Sequence, residues 1–186
     1  MLGVNGTLGA WSTAIITNNT NTVEAVDSVA LQETSATAPG GTCTTVSGSD
    51  NTVTCAIDAY GGAEGSPLDP DGVNSNSETL TFENVGTGPG DLTLEAESCS
   101  NSGGAPTATN DICDVVTVEI TCASANAYGP GALSAFFTAT DGSPVTIANL
   151  DSGDTVSCDV VVTLPTTAPA DVAGQTGTQS IVWTLS

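Results

Sequence analysis

The sequence contains no lysine, no arginine and no histidine. Nucleic acids and anionic membrane surfaces are bound by cationic side chains, so neither is an expected partner. The same absence removes the usual general bases and leaves proton transfer to carboxylates alone. A two-carboxylate glycosidase is the one formal enzymatic option. No acid falls in a pocket-forming motif, and the chain is read as a non-enzyme. Aromatic residues are also few, with two Trp, two Tyr and three Phe. A core must therefore come from Val, Ile, Leu and Ala, which suit packed sheets. No segment approaches the roughly twenty apolar residues of a membrane-spanning helix, and no basic region precedes an apolar run as in a signal peptide.

What is present is acid. Twenty-one Asp and Glu give a formal charge of −21, yet only 11% of residues are charged, against roughly 25% in ordinary domains. The acids read as a solvated coat, and contacts between identical subunits are expected to be apolar or backbone-mediated. The coat either keeps identical subunits apart or lets divalent cations bridge them.

The six cysteines, Cys43, Cys55, Cys99, Cys113, Cys122 and Cys158, include no C-x-x-C pair. With no histidine available for a zinc site, disulfides in an oxidising extracytoplasmic compartment are expected. Many pairings are open, and strand phase guides the choice. Cys43 and Cys55 flank a turn at Gly48-Ser49-Asp50-Asn51, Cys99 and Cys113 bracket a Gly/Pro/Asn-rich loop, and Cys122 and Cys158 share the inward phase of Val-rich strands. Two sequons, at Asn5 and Asn18, are candidate glycosylation sites.

Strand signals recur along the chain. The first ten residues place Leu2, Val4, Leu8 and Ala10 in one phase and Gly3, Asn5, Thr7 and Gly9 in the other, as a strand with one apolar edge does. Such an arm, residues 1–17, completes its own sheet or is donated to a neighbour's. Further strands are expected at Thr22–Leu31, Thr52–Asp58, Glu78–Val85, Asp91–Ser98, Asp114–Cys122, Leu133–Thr138, Asp154–Leu164 and Thr178–Ser186. Around ten strands with turn-rich joins predict an all-β, single-domain, jelly-roll-like sandwich over residues 18–186.

Asp69, Asp71, Asn76 and Glu78 place oxygen ligands around a glycine, a pattern compatible with Ca²⁺ but not with EF-hand spacing. Leu164-Pro165-Thr166-Thr167-Ala168 has the form of a sorting signal, without the apolar span and basic tail that would follow one. Trp11 and Trp183 are expected to be core or inter-subunit anchors rather than sugar platforms.

Four segments in order carry a resemblance. Gly9-Ala10-Trp11-Ser12-Thr13 is followed by Asn19-Thr20-Asn21-Thr22. Next comes the run Asn84-Val85-Gly86-Thr87-Gly88-Pro89-Gly90-Asp91-Leu92-Thr93-Leu94, then Cys113-Asp114-Val115-Val116-Thr117-Val118. Last, Leu150-Asp151-Ser152-Gly153-Asp154 precedes Val162-Thr163-Leu164-Pro165, and Gly174-Gln175 leads into the closing strand. In this order they resemble the TasA/camelysin-like proteins, the family of bacterial matrix fibres and archaeal bundling pili exported with a SipW-type signal. The resemblance implies a jelly-roll-like sandwich that polymerises by donating its N-terminal strand to the next subunit. The chain departs from better-known members in having six cysteines and no base, and it has no H-E-x-x-H motif of the kind a peptidase would need. The expected function is a structural subunit of an extracellular, cell-surface filament. The alternative is a monomeric Ca²⁺-dependent adhesion or carbohydrate-binding module.

Overall fold

The computed structural model describes residues 29–35, 41–45, 53–60, 67–71, 73–104, 106 and 110–186. The expected donor arm and both sequons lie outside these residues. Eleven strands are described: β1 (Leu31–Ser35), β2 (Thr42–Thr44), β3 (Ser75–Asn84), β4 (Gly90–Ala96), β5 (Ser100–Ser102), β6 (Thr117–Cys122), β7 (Ala125–Ala132), β8 (Val145–Leu150), β9 (Thr155–Thr163), β10 (Thr176–Thr178) and β11 (Ile181–Leu185). Two short helices, α1 (Ile112–Val115) and α2 (Leu133–Thr140), and a 3-10 turn at Ala170–Val172 complete the set.

The architecture is all-β and sandwich-like. A six-stranded antiparallel sheet runs β2-β1-β3-β9-β6-β7, and a three-stranded antiparallel sheet runs β11-β4-β8. Period-two alternation builds the core between them. Leu80 and Phe82 of β3, Val118 and Ile120 of β6, and Val156, Cys158, Val160 and Val162 of β9 meet Leu92, Leu94 and Ala96 of β4 and Leu185 of β11. Outward positions carry Thr, Ser, Asp and Glu. Each fully buried aliphatic side chain contributes roughly 1.5–3 kcal/mol, so this small-residue core compensates for its few aromatics by the length of its inner face.

Two sequence segments that carry the resemblance are neighbours in space. Asn84, fully buried, donates from Nδ2 to the carbonyls of Gly88 (2.7 Å) and Leu150 (3.0 Å) and accepts at Oδ1 from the Gly86 amide. The amide of Gly153 donates to the Asn84 carbonyl, and the Ser152 hydroxyl to that of Gly86. The β3–β4 and β8–β9 turns are thus tied together through one buried amide side chain. A second tie is Gln175, whose Nε2 donates to the carbonyls of Asn110 and Asp171 and whose Oε1 accepts from the Ile112 amide.

All three expected disulfides are present: Cys43–Cys55, Cys99–Cys113 and Cys122–Cys158. The last joins directly opposed residues of neighbouring strands, β6 and β9, with Cα atoms 4.0 Å apart. It staples one sheet internally rather than sewing the two sheets together.

Some expected elements differ. Leu133–Thr138, read as a strand, belongs to α2, where Leu133, Phe136 and Thr140 are the buried positions, a helical spacing on one face. Asp114–Val116, read as the start of a strand, lies in α1 and its C-cap, with Asp111 Oδ1 accepting from the Cys113 amide. Residues 53–58 form no ladder. Of the strand expected over Thr22–Leu31, residues 22–28 lie outside the described residues; Val29 and Ala30 are not in a strand, and β1 begins at Leu31. Strands β7 and β8 were not expected. β7 contains Gly129 and Pro130 and is interrupted by bulges against β6, which an edge strand tolerates. A Cβ on Gly129, at φ +85°, would stand 2.2 Å from the Val118 carbonyl oxygen, so the bulge requires glycine there.

Candidate strand-acceptor groove

The two sheets do not cover each other equally. Among the described residues six strands face three, with α2 packed at the β6–β7 end, and no described strand of the smaller sheet lies beyond β11 over the β1–β2 end. Over that end lies a groove of about 750 Å³. Its floor is the inward face of β1 and β2, with Leu31, Glu33, Cys43 and Thr45; one wall is the full length of β11, and the other is formed by residues 53–60.

β11 has one strand neighbour among the described residues, β4. The ladder phase between them identifies which backbone groups face the groove. The amides and carbonyls of Asp91 and Ser186 are mutually bonded, and the Glu97 amide donates to the Ser180 carbonyl. Antiparallel pairs alternate between hydrogen-bonded and non-hydrogen-bonded. With Val182 opposite Glu95 and Thr184 opposite Thr93, residues 182 and 184 point their N–H and C=O groups at β4. Ile181, Trp183 and Leu185 point theirs at the groove. Among the described residues β11 therefore offers an unladdered edge roughly 17 Å long.

Apolar side chains line the same space. Trp183 packs on Phe82 across the sandwich, with ring centroids 4.2 Å apart, and this gives the expected anchoring role a location. Val53, 42% exposed, and Ile57 contribute from the opposite wall. These alternating residues were expected to be a strand. They line an opening instead of pairing with one, which is why their pattern gives no ladder. The Cys43–Cys55 disulfide ties this wall to β2. The Tyr60 hydroxyl donates to Gln179 Oε1 (2.6 Å), and Gln179 Nε2 donates to the carbonyls of Glu97 and Leu133. The wall is thereby tied to the start of β11.

The groove's acids are Glu33, Asp58 and Glu97. Glu33 shares the inward face of β1 with Leu31 and lies opposite Cys43 and Phe82 in the two neighbouring strands. Burial pushes its carboxyl up from 4.5 to about 7. Tyr60 is raised as well, by burial first and then by the negative charge of Asp58.

The Ca²⁺ pattern does not converge. Asp69 Oδ1 accepts from the Asp71 amide in an exposed turn, while β3 begins at Ser75 and carries Asn76 and Glu78 away in an extended run. Glu78 is buried and accepts a hydrogen bond from the Ser35 hydroxyl. Among the described residues no three acids lie close enough together to hold a metal ion. The expected donor residues Leu2, Val4, Leu8 and Ala10, and the sequon residues Asn5 and Asn18, lie outside the described residues. Sequence reasoning missed Glu33, Tyr60 and Gln179. Their role depends on which strand ends the second sheet, and no local pattern reports that. No helix among the described residues is long and apolar enough to cross a membrane. Three disulfides fit an oxidising, extracytoplasmic compartment. No family model matches the chain, and no curated protein matches it significantly.

Proposed function

We propose that the protein is a structural subunit of an extracellular filament, pilus-like or of the biofilm-matrix kind, in which residues 1–17 of one copy add a strand beside β11 of the next. The observation that carries this reading is the edge of β11 that no described strand ladders, facing a groove lined by Leu31, Ile57 and Trp183. The arm supplies the complement. Its backbone pairs with Ile181, Trp183 and Leu185, and Leu2, Val4, Leu8 and Ala10 enter the space above Leu31, Ile57 and Trp183. Main-chain hydrogen bonds give affinity, and the side-chain pockets give register. The donor surface and the acceptor groove are different parts of the chain, so the contact is head-to-tail and repeats without closing. This is also the assembly mode that the TasA/camelysin-like resemblance implies. The acidic coat leaves the joint as the main close contact between subunits, with bundling of filaments through divalent cations and glycans on Asn5 and Asn18 as features of the finished surface.

The test is negative-stain electron microscopy of the full chain beside Ile181→Pro. Residue 181 opens β11 and its N–H faces the groove, so proline there leaves the β4 ladder whole while removing a donor and obstructing the incoming strand. Fibres from the parent and folded monomers from the variant support the proposal. Equal fibres from both, or monomers from the parent at every concentration, contradict it. A parent monomer whose fold depends on Ca²⁺ would favour the adhesion-module alternative.

A further inference from the structure

We propose that Glu33 makes strand insertion a proton-coupled step, so that the groove takes up its strand with this carboxyl neutral and filaments grow more readily as pH falls through neutrality. The inference rests on the acceptor role proposed for the groove. It begins with placement. Glu33 is on the groove floor, on the inward face of β1 between Leu31 and Ser35, and opposite Phe82 and the disulfide-bonded Cys43. An incoming strand beside β11 lies over that floor and removes water from it.

The groups facing Glu33 offer no compensation for a buried charge. Residues 53–60 contribute Asp58 and Tyr60, the chain beyond β4 contributes Glu97, and further along the inward face Glu78 of β3 accepts from Ser35. All are acids or a phenol. The whole sequence has no lysine, arginine or histidine, so no side chain of the subunit or of a donated arm can pair with Glu33. A carboxylate enclosed without a cation is strongly disfavoured, and such a group takes up a proton instead. Its pKa already stands at about 7 before any neighbour's strand covers it, where a modest further desolvation decides its state at physiological pH.

When only the neutral form accepts the strand, insertion above this value binds one proton, and apparent affinity falls by up to tenfold per pH unit. A control carboxylate outside the groove separates the effect of Glu33 from that of the acidic coat.

The experiment measures the protein concentration that gives half-maximal fibre yield, using the full chain at constant ionic strength between pH 6 and pH 8. Light scattering provides the yield and microscopy confirms the fibres. The parent chain is expected to need about tenfold more protein at pH 8 than at pH 6. Glu33→Gln, nearly isosteric and uncharged, is expected to lose the dependence and to assemble at pH 8 as the parent does at pH 6. Asp171→Asn, at an exposed position outside the groove, is expected to keep it. A parent yield that ignores pH overturns the inference and leaves the filament reading intact, as does a slope that survives in Glu33→Gln. Absence of fibres at every pH overturns both.

Discussion

At the scale of single residues, the chain relies on buried polar side chains because it has no basic side chain with which to form ion pairs. Asn84 and Gln175 each satisfy several backbone groups in turns that no ladder covers. Glu33 is the opposite case, a carboxyl raised by burial. Its effect on stability has a definite sign. A carboxyl raised in the folded state binds protons more tightly there than in the unfolded chain, so its contribution is fully present below about 4.5 and is lost as pH rises through about 7. Glu33→Gln is therefore expected to be more stable than the parent at pH 8, on the order of 2 kcal/mol once solvent screening of the partly exposed carboxyl is discounted, and indistinguishable from it near pH 4. Urea denaturation of non-assembling Ile181→Pro backgrounds at the two pH values measures this without interference from fibres. The cysteine pairs were legible in the sequence because each bridge joins positions that share a turn or a strand phase. Glu33 was not, since nothing local marks an acid in an expected loop as facing inward.

Secondary-structure elements divide by how much of their environment is local. β3, β4, β6, β9 and β11 are bounded by turn residues and alternate cleanly, so both their existence and their inward residues could be read directly. α2 was read as a strand because Leu133, Phe136 and Phe137 form a short apolar run, and only the burial of Thr140 one turn on reveals the helical face. Residues 53–58 carry a strand pattern without a strand. Their alternation serves one wall of a groove, and the sequence does not say what fills it. That wall is held by the Cys43–Cys55 bridge, which closes a loop of 12 residues. Such a bridge contributes about 3 kcal/mol in the chain-entropy account. Replacing both cysteines with serine is expected to leave the β3-β9-β6 core folded, by circular dichroism, while reducing fibre yield at least tenfold. Unchanged assembly would show that the wall needs no tether.

For the whole molecule, the controlling facts are an extreme charge and, among the described residues, an unequal sandwich. The charge of −21 acts between subunits only over about a Debye length, roughly 8 Å at physiological salt. Fibre growth is expected to quicken several-fold between 20 and 200 mM NaCl and then to plateau, followed by light scattering at fixed pH. A continued steep fall with added salt would mean that ionic attraction, absent from this sequence, drives assembly. The all-β class was legible because composition excludes long helices and alternation recurs throughout. The six-against-three arrangement was not, because sheet order is set by pairings between distant segments.

The central claim is that one copy's arm occupies the groove beside another copy's β11. It is tested most directly by mixing two chains, each disabled in one half of the joint. One carries Ile181→Pro, with its arm intact and its groove blocked. The other lacks residues 1–17 and keeps its groove open. Native mass spectrometry of each chain alone is expected to give monomers, and of the mixture to give a one-to-one dimer that cannot extend. Monomers only in the mixture, or fibres from either chain alone, would contradict the account.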